Sequence, residues 1–301
     1  MSALTSVIVS PGSASNDQLA APEPAVVPPL VLLHGLFSTP QEFGLIAFAL
    51  RTRGVALHTP TIEGFTSGQG KRGRTWQEWV DAAAHAIDAC VPHDTPIVLG
   101  GLCAGGVIAA HLALESRRQI AGLVMMSPTF DYDGWGLSRW THWRHAAYML
   151  GLDRFIKIAE REPYGIKNEK IRKWVAAEMA ERAESAVGPS MLPLWGIHET
   201  ERMMADVRKR ANELACRTLV LHSREDEICS LDAVERLMGE FTAAQAELVV
   251  LENSYHMVTV DNDRHRVTDE LLKFVGVPSK KSMQPVAPAG INETSNREEA
   301  A

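Results

Sequence analysis

The stretch Gly100-Gly101-Leu102-Cys103-Ala104-Gly105-Gly106 decides how this chain folds. The apolar run Pro96-Ile97-Val98-Leu99 leads into it, and an Ala- and Ile-rich segment, from about Ala104 to Glu115, follows. Strand, tight turn and helix are therefore expected in direct succession. Gly101 and Gly105 flank Cys103 at −2 and +2, where a sharp turn leaves no room for side chains. This is the pattern G-x-S-x-G with Cys in place of Ser, a turn that lifts its central residue clear of a sheet. At the N-terminus of a helix, with a histidine in reach, a thiol is favoured in its thiolate form.

Outward from this turn the chain alternates. Apolar runs of strand length occur at 30–34, 55–59, 96–101, 120–127, 217–222 and 246–251. They are continuous, as strands buried on both faces of a parallel sheet should be. Helical patterns separate most of them. In 75–91, Trp76, Trp79, Val80, Ala83, Ala86, Ile87 and Cys90 recur at helical spacing. Alternating strand and helix implies an α/β fold with a doubly wound, mainly parallel sheet. The rhythm breaks once, for about 85 residues after Ser127, too long for a structureless loop. An inserted helical cap over 128–210 is expected, with a Trp- and His-rich stretch at 135–150 and helices near 167–186 and 198–214. The core is then 30–127 plus 211–277. Residues 1–29, rich in Pro, Ala and Ser, read as a flexible arm with a short edge strand over Thr5 to Val9. Residues 278–301 read as a disordered tail.

Bulk properties narrow the function. The chain has 301 residues, enough for one large domain. Net charge is −7, and its densest basic run, Lys71-Arg72-Gly73-Arg74, is short, so nucleic acid is not an expected partner. No signal-peptide pattern and no apolar run long enough to span a membrane occur. The four cysteines, Cys90, Cys103, Cys216 and Cys229, fit neither a metal site nor a disulfide framework. A soluble, cytoplasmic protein with free thiols is expected, and no cofactor is called for. No G-x-G-x-x-G follows the first strand, which disfavours a dinucleotide-binding fold. His142 and His145 sit one turn apart, but two ligands make no metal site.

His256 lies in the loop after the run 246–251 and before the last helix, at the sheet edge where Cys103 also ends. It is the candidate base. Asp226, in the loop after 217–222, is the candidate acid that would hold its tautomer. The residues alone leave Glu225 and Glu227 as competitors and Asp131 as a weaker one. Ala104, directly after Cys103, offers a backbone N–H to a developing oxyanion.

With these residues in hand, the chain resembles the α/β-hydrolase superfamily over roughly residues 30–275. Within it, the chain looks like small bacterial carboxylesterases and monoacylglycerol lipases. The resemblance is carried by His34-Gly35-Leu36, Gly101-Leu102-Cys103-Ala104-Gly105, Thr75-Trp76-Gln77-Glu78-Trp79, Leu221-His222-Ser223-Arg224-Glu225-Asp226 and Ser254-Tyr255-His256. The order nucleophile, acid, histidine is the one this fold uses. The cysteine departs from the pattern and resembles the polyhydroxyalkanoate synthases and dienelactone hydrolases. The resemblance implies a Cys103–His256–Asp226 triad, with Leu36 N–H as the second oxyanion donor. It also implies structural roles for His34 and His222, and a cap that shapes an acyl pocket. The expected activity is acyl transfer on a small or lipid-like ester or thioester. Water, or an acyl carrier or other acceptor, would take the acyl group. The alternative is a non-catalytic ligand sensor or scaffold on the same fold.

Overall fold

The computed structural model describes residues 27–68, 75–137, 143–182, 184–185, 188–242 and 245–277. The expected arm (but for its last three residues), its edge strand, the tail, the run Lys71–Arg74 and His142 lie outside the described residues. Six strands form the central sheet: β1 (Leu30–Leu33), β2 (Leu57–His58), β3 (Ile97–Leu102), β4 (Ile120–Met126), and two that follow the insertion. Between β1 and β4 run α1 (Gly44–Arg51), α2 (Trp76–Cys90) and α3 (Ala104–Glu115). The insertion holds α4 (Arg144–Met149), β5 (Lys157–Ala159), α5 (Glu169–Arg182), β6 (Glu184–Ser185), β7 (Gly188–Pro189), β8 (Met191–Pro193) and α6 (Leu194–Lys209). The core resumes with β9 (Thr218–Ser223), α7 (Leu231–Gly239), β10 (Ala246–Leu251) and α8 (Arg264–Val275).

The order is β10-β9-β4-β3-β1-β2, and every pairing in this sheet is parallel. The direction of winding reverses between β1 and β3, so a crevice opens at their carboxyl ends. Strand residues alternate between two apolar clusters. Val31, Leu33, Leu99, Leu123 and Met125 face Trp79 of α2, Val107 of α3 and Met203 of α6. Leu30, Leu32, Val98, Val124 and Leu219 face Ile46 and Leu50 of α1 and Leu271 of α8. Burial on both sides is why β1, β3 and β4 carry no charged residue and are apolar or glycine throughout.

Local signals set the helix ends. Thr75 caps α2, and its partner Glu78 closes a capping box. Trp76, Trp79, Val80, Ala83 and Ile87 are buried along that helix, but Cys90 is exposed. The apolar slot expected of Cys90 is taken by Val91, which leaves the helix in extended conformation and turns inward. Residues 128–210 contain short antiparallel pairs, β5 with β8 and β6 with β7, as well as helices. The last helix, α6, buries Met203, Met204 and Val207 in the cluster shared with α2 and α3. By packing it is core, and it starts at Leu194 rather than near 198. Among the described residues no helix is long and apolar enough to cross a membrane.

Close approach explains the glycines of the turn. A Cβ on Gly105 would lie 2.1 Å from the Leu33 carbonyl oxygen, and one on Gly101 would lie 2.3 Å from the Gly105 carbonyl carbon. Both obstacles are backbone. Gly105→Ala should therefore cost about 3 kcal/mol or more, lowering Tm by roughly 6–12 °C. An unchanged thermal melt would show that the turn has slack.

Candidate active site

Cys103 follows β3 and caps α3 with φ 54 and ψ −125, a conformation costly for any residue with a side chain. Its N–H donates to Met126 O at 3.0 Å, and its carbonyl accepts from Gly106 N–H at 3.0 Å. Sheet and helix thus hold the strained turn from both sides. The thiol is partly exposed. Its Sγ lies 3.2 Å from Oγ1 of Thr129, a fully buried residue in the loop after β4.

His256 follows β10 and Asp226 follows β9, so adjacent strands deliver them to one place. Asp226 Oδ2 accepts from His256 Nδ1 at 2.8 Å. Asp226 Oδ1 accepts the N–H groups of Ile228 and Cys229 at 2.9 and 3.0 Å, which fixes the carboxylate. Burial favours its neutral form, but His256, His222 and the Cys229 N–H outweigh burial and hold the carboxyl below the usual range. Burial also opposes charge on His256. Asp226 first, then Cys103, outweigh it and raise the imidazole well above its ordinary value. Nε2 of His256 is buried and makes no hydrogen bond of normal geometry. Cys103 nevertheless acts on the imidazole, through its charge and through hydrogen bonding.

The competing carboxylates go elsewhere. Glu225 takes Lys167 Nζ at 2.7 Å. Asp131 accepts its neighbour's backbone, Tyr132 N–H, at 2.8 Å. Glu227 accepts the backbone N–H of His256 at 3.1 Å, and burial pushes its carboxyl up to about 7. His34 is fully buried, with Nε2 2.6 Å from Thr66 Oγ1 and its ring stacked on Phe65. Burial lowers it to about 4, so it stays neutral. His222 is likewise buried, 3.0 Å from Cys229 O.

The His34-Gly35-Leu36 loop leaves β1 beside the nucleophile turn. A Cβ on Gly35 would sit 3.5 Å from Cys103 Cβ. Ala104 is the first residue of α3, where N–H groups have no partner within the helix. Leu36, Tyr132, Leu192 and Trp195 pack with Cys103 against one apolar cluster. Thr129 and the buried Glu42 had no signal in the sequence, because each owes its place to contacts made across the fold. Among the described residues no group of three His, Cys, Asp or Glu side chains could hold a metal ion.

Thiol reactivity gives a first test. Cys229 is buried, and burial pushes its thiol up to about 12; Cys216 is raised in the same direction. Cys90 is exposed but stands at the C-terminal end of a helix, where the dipole disfavours a thiolate. Iodoacetamide should label Cys103 first and Cys90 second, leaving Cys229 unlabelled, with peptide mass spectrometry as readout. Labelling of Cys90 ahead of Cys103 would count against an activated thiol at the turn.

A parallel sheet of this winding, with a turn residue, a histidine and an acid delivered from three strand ends, defines an α/β-hydrolase. The chain belongs to the Hydrolase_4 family, described as serine aminopeptidase, S33, which matches residues 25–263. It is 24% identical over 246 residues to a thermostable monoacylglycerol lipase of Bacillus sp. (strain H-257), covering 81% of this chain and 89% of that protein. The monoacylglycerol lipase of Paleococcus ferrophilus has a similar structure, with a TM-score of 0.68 at 18% identity, covering 82% of this chain and 95% of that one. A soluble variant of monoglyceride lipase from Saccharomyces cerevisiae gives 0.67 at 16% identity, covering 84% and 87%. At such identities the two structures show the fold alone.

Proposed function

We propose that the protein is an acyl-transfer enzyme that acts on small, lipid-like esters or thioesters through an acyl-enzyme on Cys103. The observation that carries this reading is one juxtaposition. A cysteine stands on a strained turn at the sheet edge, beside a histidine whose far nitrogen is held by a buried carboxylate. In the first half-reaction Cys103 Sγ bonds to the substrate carbonyl carbon. The thiol proton passes to His256 Nε2, and the carbonyl electrons move onto oxygen. The N–H groups of Leu36 and Ala104 are the donors for that oxyanion. The C–O or C–S bond then breaks, and the leaving alcohol or thiol takes the proton from His256. Water or a second nucleophile attacks the thioester through the same steps in reverse.

Two observations favour a lipid-like acyl chain. Leu36, Tyr132, Leu192, Trp195 and Cys103 all pack against one apolar cluster, within which Phe37 and Trp195 lie with ring centroids 5.3 Å apart. The matched Bacillus protein is named a monoacylglycerol lipase. The family description speaks instead of aminopeptidases, so amides belong in the test. A thioester intermediate stays reactive toward amines and thiols, which leans the second half-reaction toward transfer. The test is intact-mass analysis after incubation with acyl thioesters, p-nitrophenyl esters and aminoacyl p-nitroanilides. Addition of one acyl mass, mapped to Cys103, is expected with esters or thioesters. No adduct and no turnover with any donor would move a sensor or scaffold role ahead.

A further inference from the structure

Behind the loop that follows β1 lies a carboxyl group that the reaction above does not use. Glu42, in the 3-10 turn Pro40–Phe43, is 1% exposed. Its Oε1 accepts the Gly35 N–H at 2.8 Å. A Cβ on Gly35 would meet Cys103 Cβ at 3.5 Å and Glu42 Oε2 at 3.6 Å. The Gly35 backbone is therefore packed between the nucleophile and a buried acid. A peptide N–H bonded to a side chain is placed by that side chain, and the next peptide N–H along is Leu36's.

We infer that Glu42 is a positioning residue for acyl transfer, fixing the His34–Gly35 peptide so that the Leu36 N–H, one peptide further on, points at the oxyanion formed on the Cys103 adduct. The inference rests on the acyl-enzyme reading. Its protonation state follows from the surroundings. Burial pushes the carboxyl up to about 8, against the pull of Ser38, the Gly35 N–H and His256. His256, from the loop after β10, is the titratable group that acts on it, and Cys103 lies across Gly35 from it. At neutral pH Glu42 is thus a neutral acid whose carbonyl oxygen accepts the Gly35 N–H. Once ionised it sets a negative charge behind the place where the oxyanion forms. Like charges oppose each other there, so transfer should weaken as pH rises past 8. Neutrality is what lets a carboxyl stand in this position.

The test compares native protein with Glu42→Gln and Glu42→Leu. One assay follows the p-nitrophenol burst from p-nitrophenyl butyrate, and a second follows alkylation of Cys103 by iodoacetamide. Alkylation forms no oxyanion, so it separates loop positioning from general damage to the site. Glu42→Leu should slow the burst about 100-fold, mostly in the rate constant and little in KM, while the alkylation rate changes less than about threefold. Glu42→Gln keeps the acceptor oxygen and cannot ionise. It should recover most of the burst rate lost in the Leu variant. The native burst rate should fall at least about fivefold between pH 7 and 9.5, and the Gln variant should lack that fall. Should Glu42→Leu not fold, the Gln profile alone decides. Equal loss of burst and alkylation, or the same alkaline fall in the Gln variant, overturns the inference. Native protein that alkylates but is never acylated overturns the acyl-enzyme reading and this inference with it.

Discussion

Cys103→Ala should fold normally and lose acylation by roughly 10⁴-fold to 10⁶-fold, the scale seen when a covalent nucleophile is removed. The substitution deletes one partly exposed sulfur and its contact to Thr129, and leaves the glycines and the helix cap unchanged. An acyl adduct that persists in the Ala variant would place the chemistry on another residue and sink the assignment. Cys103→Ser is the more informative variant. In the native protein Cys103 is among the groups that raise His256 well above its ordinary value. A serine supplies no such charge, so the imidazole in the Ser variant should be neutral from a lower pH. A hydroxyl, a far weaker acid than a thiol, also depends more on a neutral base at the moment of attack. Below pH 8, ester turnover by the Ser variant should accordingly climb more steeply with pH than native acylation does. Hydroxylamine, added as an acceptor, separates the two fates of the intermediate. If the Ser variant hydrolyses esters faster but transfers less to hydroxylamine, the cysteine serves transfer. Equal hydrolysis by both proteins would leave plain hydrolysis.

The parallel sheet was legible because its strands are buried on both faces. Continuous apolar runs follow from that, and five of the six match the strand ends to within one residue. The sixth, 55–59, is reduced to Leu57–His58, since β2 pairs with β1 over two residues at the sheet edge. The turn around Cys103 was legible for a different reason. Backbone atoms 2.1 to 2.3 Å from a would-be Cβ admit no side chain at Gly101 or Gly105, so the requirement is printed in the sequence. Cys90 misled because helical spacing fits both the last residue of α2 and its successor, and the helix ends between them.

The acid could not be chosen from residues alone. Glu225, Asp226 and Glu227 share a charge and a loop, and their separation depends on how the chain turns after β9. The short Asp side chain reaches two N–H groups of its own loop, at Ile228 and Cys229, and that local ring aims its other oxygen at His256. Glu42 was invisible for the opposite reason. An acidic residue in the first turn of a helix, just after Pro40, is what a solvated helix start looks like. Only the packing of that turn behind Gly35, which no local pattern encodes, takes its carboxyl out of water. Thr129 likewise becomes a neighbour of Cys103 only because β3 and β4 are adjacent in the sheet.

Asp226→Asn tests the second half of the site. Asparagine keeps an oxygen where Oδ1 accepts the Ile228 and Cys229 N–H groups, so the loop and the fold should survive. The other end changes from acceptor to donor. An amide NH₂ facing His256 Nδ1 requires that nitrogen to be unprotonated, which puts the ring's proton on Nε2. That tautomer cannot take a proton from Cys103. Removal of the carboxylate also removes the first of the influences that raise His256, so burial would then favour the neutral ring. Both effects act against the thiol–imidazole pair. Acylation should fall by about 10³-fold to 10⁴-fold at neutral pH with KM little changed. Stability supplies an independent readout. The native carboxyl is held below its ordinary value of 3.8, so its contribution is present above that pH and is lost as the pH falls through the folded-state value. The Asn variant cannot titrate there, and its melting temperature should drop less between pH 5 and pH 3 than that of the native protein. A variant that acylates within tenfold of native, with an unchanged acid limb in its melting curve, would mean that Asp226 does not hold the catalytic tautomer. Glu227, on the backbone of His256, would then be the acid to substitute next.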